Sequence, residues 1–357
     1  MGLPSPPPSA DVRGSALFAA LALVTAGACN HDAHQPQSRQ VPHTLETVRA
    51  RGYVRCGASK EAPGFSTPDA TGRWRGLDVD TCRAIAVAAL GDREKVRFIP
   101  LTGQQRITAL QTGEIDVLPR TTTWTLRRDA AGINFTIPTY YDYTGFMVRR
   151  SAGVRTLADL RGASACVQSG SMTEVALADV SHKFRLALRP VVFDNVQSTR
   201  QAFMSDRCDA LITDASALAA LRAALPNGLA GYVIIPADNT VSALTPAVRH
   251  GDDQWFDIVK FAIEAMVVAE QLDIGRGNVD RLRGSNDPTV RRFLGVEPGN
   301  GHALGVSEDF AFQIVRQIGN YGEVYDDNLG SRSRLKIPRG LNRLQRAGGL
   351  MLPIGFY

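Results

Sequence analysis

The stretch VRFIPLTGQQRITALQTGEIDVL, residues 96–118, contains a strand, a helix and a second strand in close succession. Residues 96–100 are rich in side chains that favour strands, and residues 115–118 are again mostly apolar. Between them, residues 104–111 have helical spacing, and Gly113 then ends the helix. Strands that alternate with helices predict an α/β sheet.

The same alternation extends in both directions along the chain. Upstream, residues 45–52 predict a helix, residues 53–57 a strand, and Asp78 begins a helix that runs to about residue 90. The pattern restarts after Arg150. Strands are predicted at residues 163–167, 190–193 and 209–212, and helices at residues 171–179, 198–205 and 215–224. We therefore expect two successive α/β units.

Two extended stretches, residues 145–149 and 242–249, are placed to cross between these units, and residues 255–271 form a long amphipathic helix. This predicts a fold of two α/β lobes joined by two crossing segments. The predicted divisions are a signal peptide (1–28), a linker (29–43), the first lobe (44–147), the second lobe (148–244), a return to the first lobe (245–300), and a C-terminal helical extension and tail (301–357).

The N-terminal residues have the composition of an export signal. Arg13 precedes an apolar run at residues 16–24, and the small residues Ala26, Gly27 and Ala28 follow. This order predicts a secretory signal peptide, with an ordinary N-terminal helix as the alternative. Cys29 comes next and would be lipidated in a lipoprotein, but Ala26 stands where lipoproteins usually have Leu. We expect an exported periplasmic protein and favour the form without a lipid anchor.

Four cysteines remain, at positions 56, 82, 166 and 208. An even number of cysteines in an exported chain suggests disulfides, although four free buried thiols are the alternative. Four cysteines allow three pairings. We expect Cys56–Cys82 and Cys166–Cys208, because each pair then lies within one lobe.

The remaining composition excludes several classes of function. The net charge of +5 is scattered along the chain, which does not favour nucleic-acid binding. The sequence lacks a phosphate-binding loop, an HExxH zinc motif and a GxSxG nucleophile motif, and its histidines lack metal-ligand spacing. We therefore expect neither a cofactor nor a metal, and we favour binding over catalysis.

Several motifs together resemble one known family. They are the GLDVD sequence at residues 76–80, the stretch DVLPRTTTWTLRRD at residues 116–129, CVQSGS at 166–171 and CDALITD at 208–214. These resemble the bacterial extracellular solute-binding proteins of family 3, which bind polar amino acids. Further stretches, including GDDQWFDIVK at residues 251–260 and GNYGEV at residues 319–324, resemble the general L-amino-acid-binding subunits of ABC transporters within that family.

The resemblance implies a periplasmic binding protein-like fold of type II, with ligand held between the lobes. It implies a monomer that captures free L-amino acids with broad specificity and delivers them to an ABC transporter permease in the inner membrane. One alternative is a periplasmic dehydratase of aromatic amino-acid precursors on the same scaffold, because fold alone does not define function. A detached ligand-sensing domain is the other alternative.

An amino acid brings a carboxylate and an ammonium, and both need partners when the cleft removes water. The resemblance implies that the planar guanidinium of Arg128 binds the carboxylate and that Asp214 accepts hydrogen bonds from the ammonium. Gly170 and Ser171 lie at a strand-to-helix turn, where free N–H groups favour an anion. The predicted ligand-binding residues are Ser59, Thr123, Thr125, Arg128, Gln168, Gly170, Ser171 and Asp214.

Each of these assignments has an ordinary structural alternative. Arg128 also fits a surface position beside Asp129, with Arg127 as its competitor. Asp214 and Ser171 also fit helix caps.

Two positions depart from the pattern of the amino-acid-binding subunits that the sequence resembles. Thr121 stands where Asn is expected, and Met172 stands where Thr is common. Both departures bear on side-chain selectivity.

Overall fold

The first lobe begins with a helix and a pair of parallel strands. The computed structural model describes residue 2 and residues 43–356, without the side chains of residues 238–240. The predicted signal peptide, apart from residue 2, and Cys29 lie outside these residues. The first elements are α1 (Thr44–Arg51), β1 (Val54–Ala58), β2 (Thr67–Pro68), β3 (Trp74–Arg75), α2 (Leu77–Leu90), β4 (Val96–Pro100), α3 (Gln105–Gln111), α4 (Leu126–Asp129) and β5 (Ile133–Phe135).

The second lobe follows and contains the largest sheet. Its elements are β6 (Tyr140–Arg149), β7 (Ser164–Gln168), α5 (Met172–Lys183), β8 (Arg189–Phe193), α6 (Val196–Met204), β9 (Ala210–Asp214), α7 (Ala215–Ala224), α8 (Gly228–Gly231) and β10 (Tyr232–Leu244). Two short 3-10 helices, Arg150–Ala152 and Leu157–Leu160, lie between β6 and β7.

The chain then returns to the first lobe and ends in small helices. These elements are β11 (Ala247–Arg249), α9 (Asp253–Gln271), α10 (Val279–Leu282), α11 (Pro288–Phe293), α12 (Asn300–Leu304), α13 (Phe310–Gln317) and α14 (Tyr321–Asn328), and the 3-10 helices Gly340–Asn342 and Gln345–Ala347 follow. Among the described residues, no helix combines the length and the apolar character needed to cross a bilayer.

Two strand pairs of the first lobe, connected by single bridges, make up a short sheet from distant parts of the chain. β1 pairs in parallel with β4, and β11 pairs antiparallel with β5. Residues 115–118 were predicted to form a strand, but they form only single bridges, from Val117 to Cys56 and from Leu118 to Ala247. These bridges join the two strand pairs across the lobe. Helix α2 packs between this sheet and helices α9 and α13, which explains why almost all of its residues are buried.

The sheet of the second lobe has the strand order β10-β6-β9-β7-β8. β7 is parallel to both β8 and β9, whereas β6 is antiparallel to β9 and β10. The start of β6 and the end of β10 extend beyond β9 toward the first lobe. There, Leu244 bridges Thr123, and the Leu244 carbonyl accepts a hydrogen bond from the Thr139 N–H. The two-lobed α/β fold predicted from the sequence is therefore confirmed.

Both expected disulfides are present. Cys56–Cys82 links β1 to α2 in the first lobe, and Cys166–Cys208 links β7 to the turn before β9 in the second. All four cysteines are buried in the hydrophobic cores of their lobes. Each bond therefore ties a strand to an adjacent segment of the same lobe, which restricts the unfolded chain without linking the two lobes to each other.

Candidate functional site

One cleft collects polar residues from both lobes. Ser59 follows β1, Gln168 ends β7 and Asp214 ends β9, so the carboxyl ends of three strands meet there, as is usual for ligand sites in α/β sheets. The cleft encloses about 900 Å³ of space, part of it open to solvent. Of the predicted ligand-binding residues, Ser59, Thr123, Gln168, Ser171 and Asp214 line it.

The remaining three predicted residues, Thr125, Arg128 and Gly170, lie outside this lining. Arg128 is nevertheless directly behind it, because its Nη1 donates a 2.9 Å hydrogen bond to the carbonyl oxygen of Thr123. Thr125 is the N-cap of the short helix α4, and its hydroxyl accepts from the Arg128 N–H. Thr125 therefore holds the backbone from which Arg128 projects.

A strained loop forms the first-lobe wall of the cleft. Arg120 and Thr121 have positive φ values of 24° and 42°, which non-glycine residues rarely adopt and which are typical of functional sites. The buried carboxylate of Asp78 accepts the Thr121 N–H at 3.0 Å, and Arg120 Nε donates to the Leu101 carbonyl. From the sequence, Asp78 was expected only to begin a helix. The structure instead gives it the role of fastening this loop, and burial raises its pKa to about 7.

The second-lobe wall is the turn between β7 and α5. Ser171 is the N-cap of α5, and its hydroxyl accepts the N–H of Glu174. The Gly170 N–H donates to the carboxylate of Glu174, so this N–H already has a partner. The first helical residues, Met172 and Thr173, line the cleft. Their N–H groups lack acceptors within the helix and lie at the positive end of its dipole.

Asp214 occupies the N-cap position of α7, but its side chain makes no capping hydrogen bond. The alternative that it serves as a helix cap therefore does not describe this carboxylate. Burial, together with the nearby negative charge of Asp142, raises the pKa of Asp214 to about 7. The guanidinium groups of Arg106 and Arg128 oppose this shift. A buried carboxylate held this way accepts a cation readily, because the cation restores its ionised form.

Sequence reasoning missed three arginines that line the cleft, Arg106, Arg120 and Arg200. Arg106, at the start of α3, is only 7% exposed, and its Nε has no hydrogen-bond partner. Burial lowers the pKa of Arg200 on α6, and the charge of Glu61 in the opposite wall offsets part of that effect. Helical periodicity gives no signal for Arg106 and Arg200, because an arginine on a helix is ordinarily exposed.

The two lobes touch along one side of the cleft. Gln104 Nε2 of the first lobe donates a 2.6 Å hydrogen bond to Ser169 Oγ of the second. A Cβ at Gly103 would lie 3.2 Å from Gln168 Nε2, and a Cβ at Gly170 would lie 3.2 Å from Gln104 Cγ. Residues 43–356 belong to one compact unit. The lobes are therefore closed against each other at this edge.

Comparison with known proteins agrees with this geometry. Residues 54–274 match the sequence model of the bacterial extracellular solute-binding proteins, family 3. The chain is 46% identical to the general L-amino acid-binding periplasmic protein AapJ of Rhizobium johnstonii, over 86% of this chain and 91% of that protein. It is 42% identical to the glutamate/glutamine/aspartate/asparagine-binding protein BztA of Rhodobacter capsulatus, over 95% and 98% respectively.

A solved structure is similar over nearly the same length. It is an ABC transporter periplasmic binding protein from Brucella ovis with glutathione bound, 41% identical to this chain, with a TM-score of 0.85. The similarity covers 88% of this chain and 99% of that one. Since the family match spans more than half of the sequence and these relatives extend along most of it, the chain belongs to the bacterial extracellular solute-binding proteins, family 3.

Proposed function

We propose that this protein captures free L-amino acids in the periplasm and delivers them to an ABC transporter permease in the inner membrane. The observation that carries the proposal is that Asp214, from the second lobe, and Arg106, from the first, line the same cleft, with Arg128 directly behind the lining residue Thr123. A carboxylate and guanidinium groups on opposite walls match the ammonium and carboxylate of an amino acid. The names of AapJ and BztA support this function.

In this proposal Arg128, Thr123 and Ser171 bind the ligand carboxylate, together with the N–H groups at the start of α5. Asp214 accepts from the ammonium. Ser59 and Gln168 form walls, and Thr125 supports Arg128. Gly170 contributes its N–H only if the ligand displaces Glu174, which holds that N–H at 2.9 Å.

The rest of the cleft bears on which side chains are accepted. Three guanidinium groups, from Arg106, Arg120 and Arg200, line it, and Glu61 and Asp214 are the carboxylates there. This surplus of donors favours ligands that bring an acidic or amide side chain. BztA is named for glutamate, glutamine, aspartate and asparagine, and the Brucella protein was solved with the peptide glutathione. We propose broad specificity weighted toward such ligands.

Capture would proceed by hinge closure of the predicted lobes, residues 44–147 with 245–300 against residues 148–244. Because β6 pairs with β9 from Thr144 onward, we place the first crossing at the start of β6, slightly before the predicted boundary. Ligand contacts to both walls would stabilise the closed arrangement by their differential affinity. The permease would then bind the closed monomer.

A thermal-shift panel of the common L-amino acids tests the proposal. A ligand at 100 times its Kd stabilises a protein by about 2.7 kcal/mol, which moves the midpoint by several degrees. We expect shifts with several amino acids, the largest with acidic and amide ones. Asp214→Asn should lose the shifts, whereas Arg127→Ala should keep them. Turnover of prephenate or arogenate, without any amino-acid shift, would instead support the dehydratase alternative.

A further inference from the structure

Asp142 is a buried acid that the proposed ligand contacts do not use. It is the third residue of β6, close to the point where the chain crosses between the lobes, and its side chain is almost completely buried. In the antiparallel pairing of β6 with β9, Thr144 stands opposite Asp214. Asp142 is therefore two residues beyond that pair, just past the end of β9.

The Asp142 carboxylate reaches the first turn of α7. Its oxygens accept the main-chain N–H of Ser216 at 3.3 Å and the hydroxyl of the same residue. A third hydrogen bond comes from the N–H of Tyr143, at 2.8 Å. Ser216 is the second residue of α7, so the N–H that it donates is one that a helix leaves without an internal acceptor. Asp142 thus caps α7 from a different strand.

This arrangement explains why Asp214 makes no capping hydrogen bond. An aspartate at the N-cap ordinarily turns its carboxylate onto the second or third helical N–H. Here the second helical N–H, that of Ser216, is already bound by Asp142, and the Asp214 carboxylate faces the cleft that it lines. Asp142 therefore caps α7 while Asp214 faces the cleft. A single N-cap aspartate could not do both at the same time.

We propose that Asp142 is a positioning residue: by capping α7 in place of Asp214, it keeps the Asp214 carboxylate directed into the cleft for a ligand cation. Its negative charge also acts on Asp214 across the sheet. The charged groups that face Asp214 are Asp142 from β6, Arg106 from α3 and Arg128 from α4. Asp142 itself is faced by Ser216 from α7 and interacts with the hydroxyls of Tyr140 and Tyr325.

Removing the charge while keeping the cap separates the two effects. Asp142→Asn retains an acceptor for Ser216, and we expect it to lower the pKa of Asp214, because a like charge has been removed. The measurement is a carbon-13 titration of aspartate carboxyls, with the Asp214 signal assigned by its absence in Asp214→Asn. This readout needs no ligand, so it is independent of the proposed function. An unchanged Asp214 pKa would overturn the proposed action of the Asp142 charge on Asp214.

Removing the cap tests the positioning itself and rests on the proposed amino-acid binding. In Asp142→Ala the free N–H groups of α7 recruit Asp214, so we expect affinity for a bound amino acid to fall about tenfold at pH 8. Asp142→Asn should stay within about twofold at pH 8 and bind more tightly than wild type at pH 6. Asp206→Asn, an exposed acid of the same lobe, is the matched control and should change neither quantity.

Each outcome decides either the positioning role of Asp142 or the proposed amino-acid binding. Wild-type affinity in a folded Asp142→Ala would overturn the positioning role. If Asp142→Ala does not fold, Asp142→Asn and its titration still test the inference. If wild-type protein binds no amino acid, the proposed function fails, and the Asp214 titration alone decides whether Asp142 acts on that carboxylate.

Discussion

The side-chain amide of Asn342 forms two hydrogen bonds with the main chain of Tyr141: it accepts the Tyr141 N–H at 2.6 Å and donates to the Tyr141 carbonyl at 3.0 Å. Asn342 lies in the C-terminal tail, and Tyr141 lies where β6 leaves the first lobe. The nearby Tyr321 hydroxyl also bonds to this segment, at the Thr139 carbonyl. The tail is therefore attached directly to one of the two crossing strands.

Replacing Asn342 with Ala should destabilise the protein by about 2 kcal/mol, since it leaves a partly buried N–H and a partly buried carbonyl of Tyr141 without partners. Only 2% of Asn342 is exposed, so water does not readily replace the lost bonds. Thermal unfolding monitored by circular dichroism measures the loss. Leu352→Ala, at an exposed tail position, is the control and should stay within about 0.5 kcal/mol of wild type. Equal midpoints for the two variants would contradict the prediction.

Arg128→Ala should weaken amino-acid binding by about 100-fold, equivalent to about 2–3 kcal/mol, because the ligand carboxylate loses its charged partner. Titration calorimetry with the best ligand from the thermal-shift panel measures the change. The neighbouring Arg127 is exposed and provides the matched control. Arg127→Ala should bind as wild type does. If both variants bind normally, Arg106 would be the carboxylate partner instead.

Amino-acid affinity should decrease as the pH falls below about 7. Asp214 has its pKa raised to about 7 by burial, so below that pH the unliganded carboxyl is mostly protonated. A ligand ammonium requires the ionised form, and binding must therefore release a proton. The affinity should fall up to about tenfold per pH unit on the acid side and level off above it.

Calorimetry in two buffers of different ionisation enthalpy measures the number of protons released per ligand bound. Near pH 6 we expect close to one proton released per ligand bound, decreasing toward zero at pH 8.5. Asp214→Asn should bind weakly and show no such release. Constant affinity between pH 8.5 and pH 5.5 would rule out this linkage.

Most of the fold could be predicted from the spacing of apolar residues along the chain, because a strand and a helix with one buried face each repeat apolar residues at a characteristic interval. Helix α7 occupies residues 215–224 as predicted, and α9 differs from its prediction only at the first turn. The first part of β10 was missed. It contains Pro236, which argues against a strand, but β10 is an edge strand of its sheet and therefore tolerates a residue without an N–H.

The site was less accessible to sequence reasoning, because its chemistry depends on tertiary contacts. The cap that Asp142 provides to Ser216 joins residues 74 positions apart, so no local motif reveals it. Arg106 and Arg200 lie on helices whose spacing predicts exposure, yet both line the cleft. Asp214 could be identified as a ligand-binding residue only by resemblance, because an aspartate at the start of a helix is equally expected to be a helix cap.

The hydrogen bond between Gln104 and Ser169 should help to hold the lobes closed. It joins Nε2 to Oγ at 2.6 Å across the cleft edge, and an open arrangement would break it. Gln104→Ala should therefore shift the unliganded protein toward the open form. We expect affinity to fall about fivefold, which corresponds to roughly 1 kcal/mol for one exposed hydrogen bond.

Small-angle scattering without ligand should show a larger radius of gyration for Gln104→Ala, and the difference should vanish when ligand is saturating, because the ligand itself bridges the lobes. Gln105→Ala is the matched control, since the Gln105 side chain accepts only from the N–H of Thr102 within its own lobe. A Gln104→Ala protein with wild-type dimensions and wild-type affinity would mean that this contact does not contribute to closure.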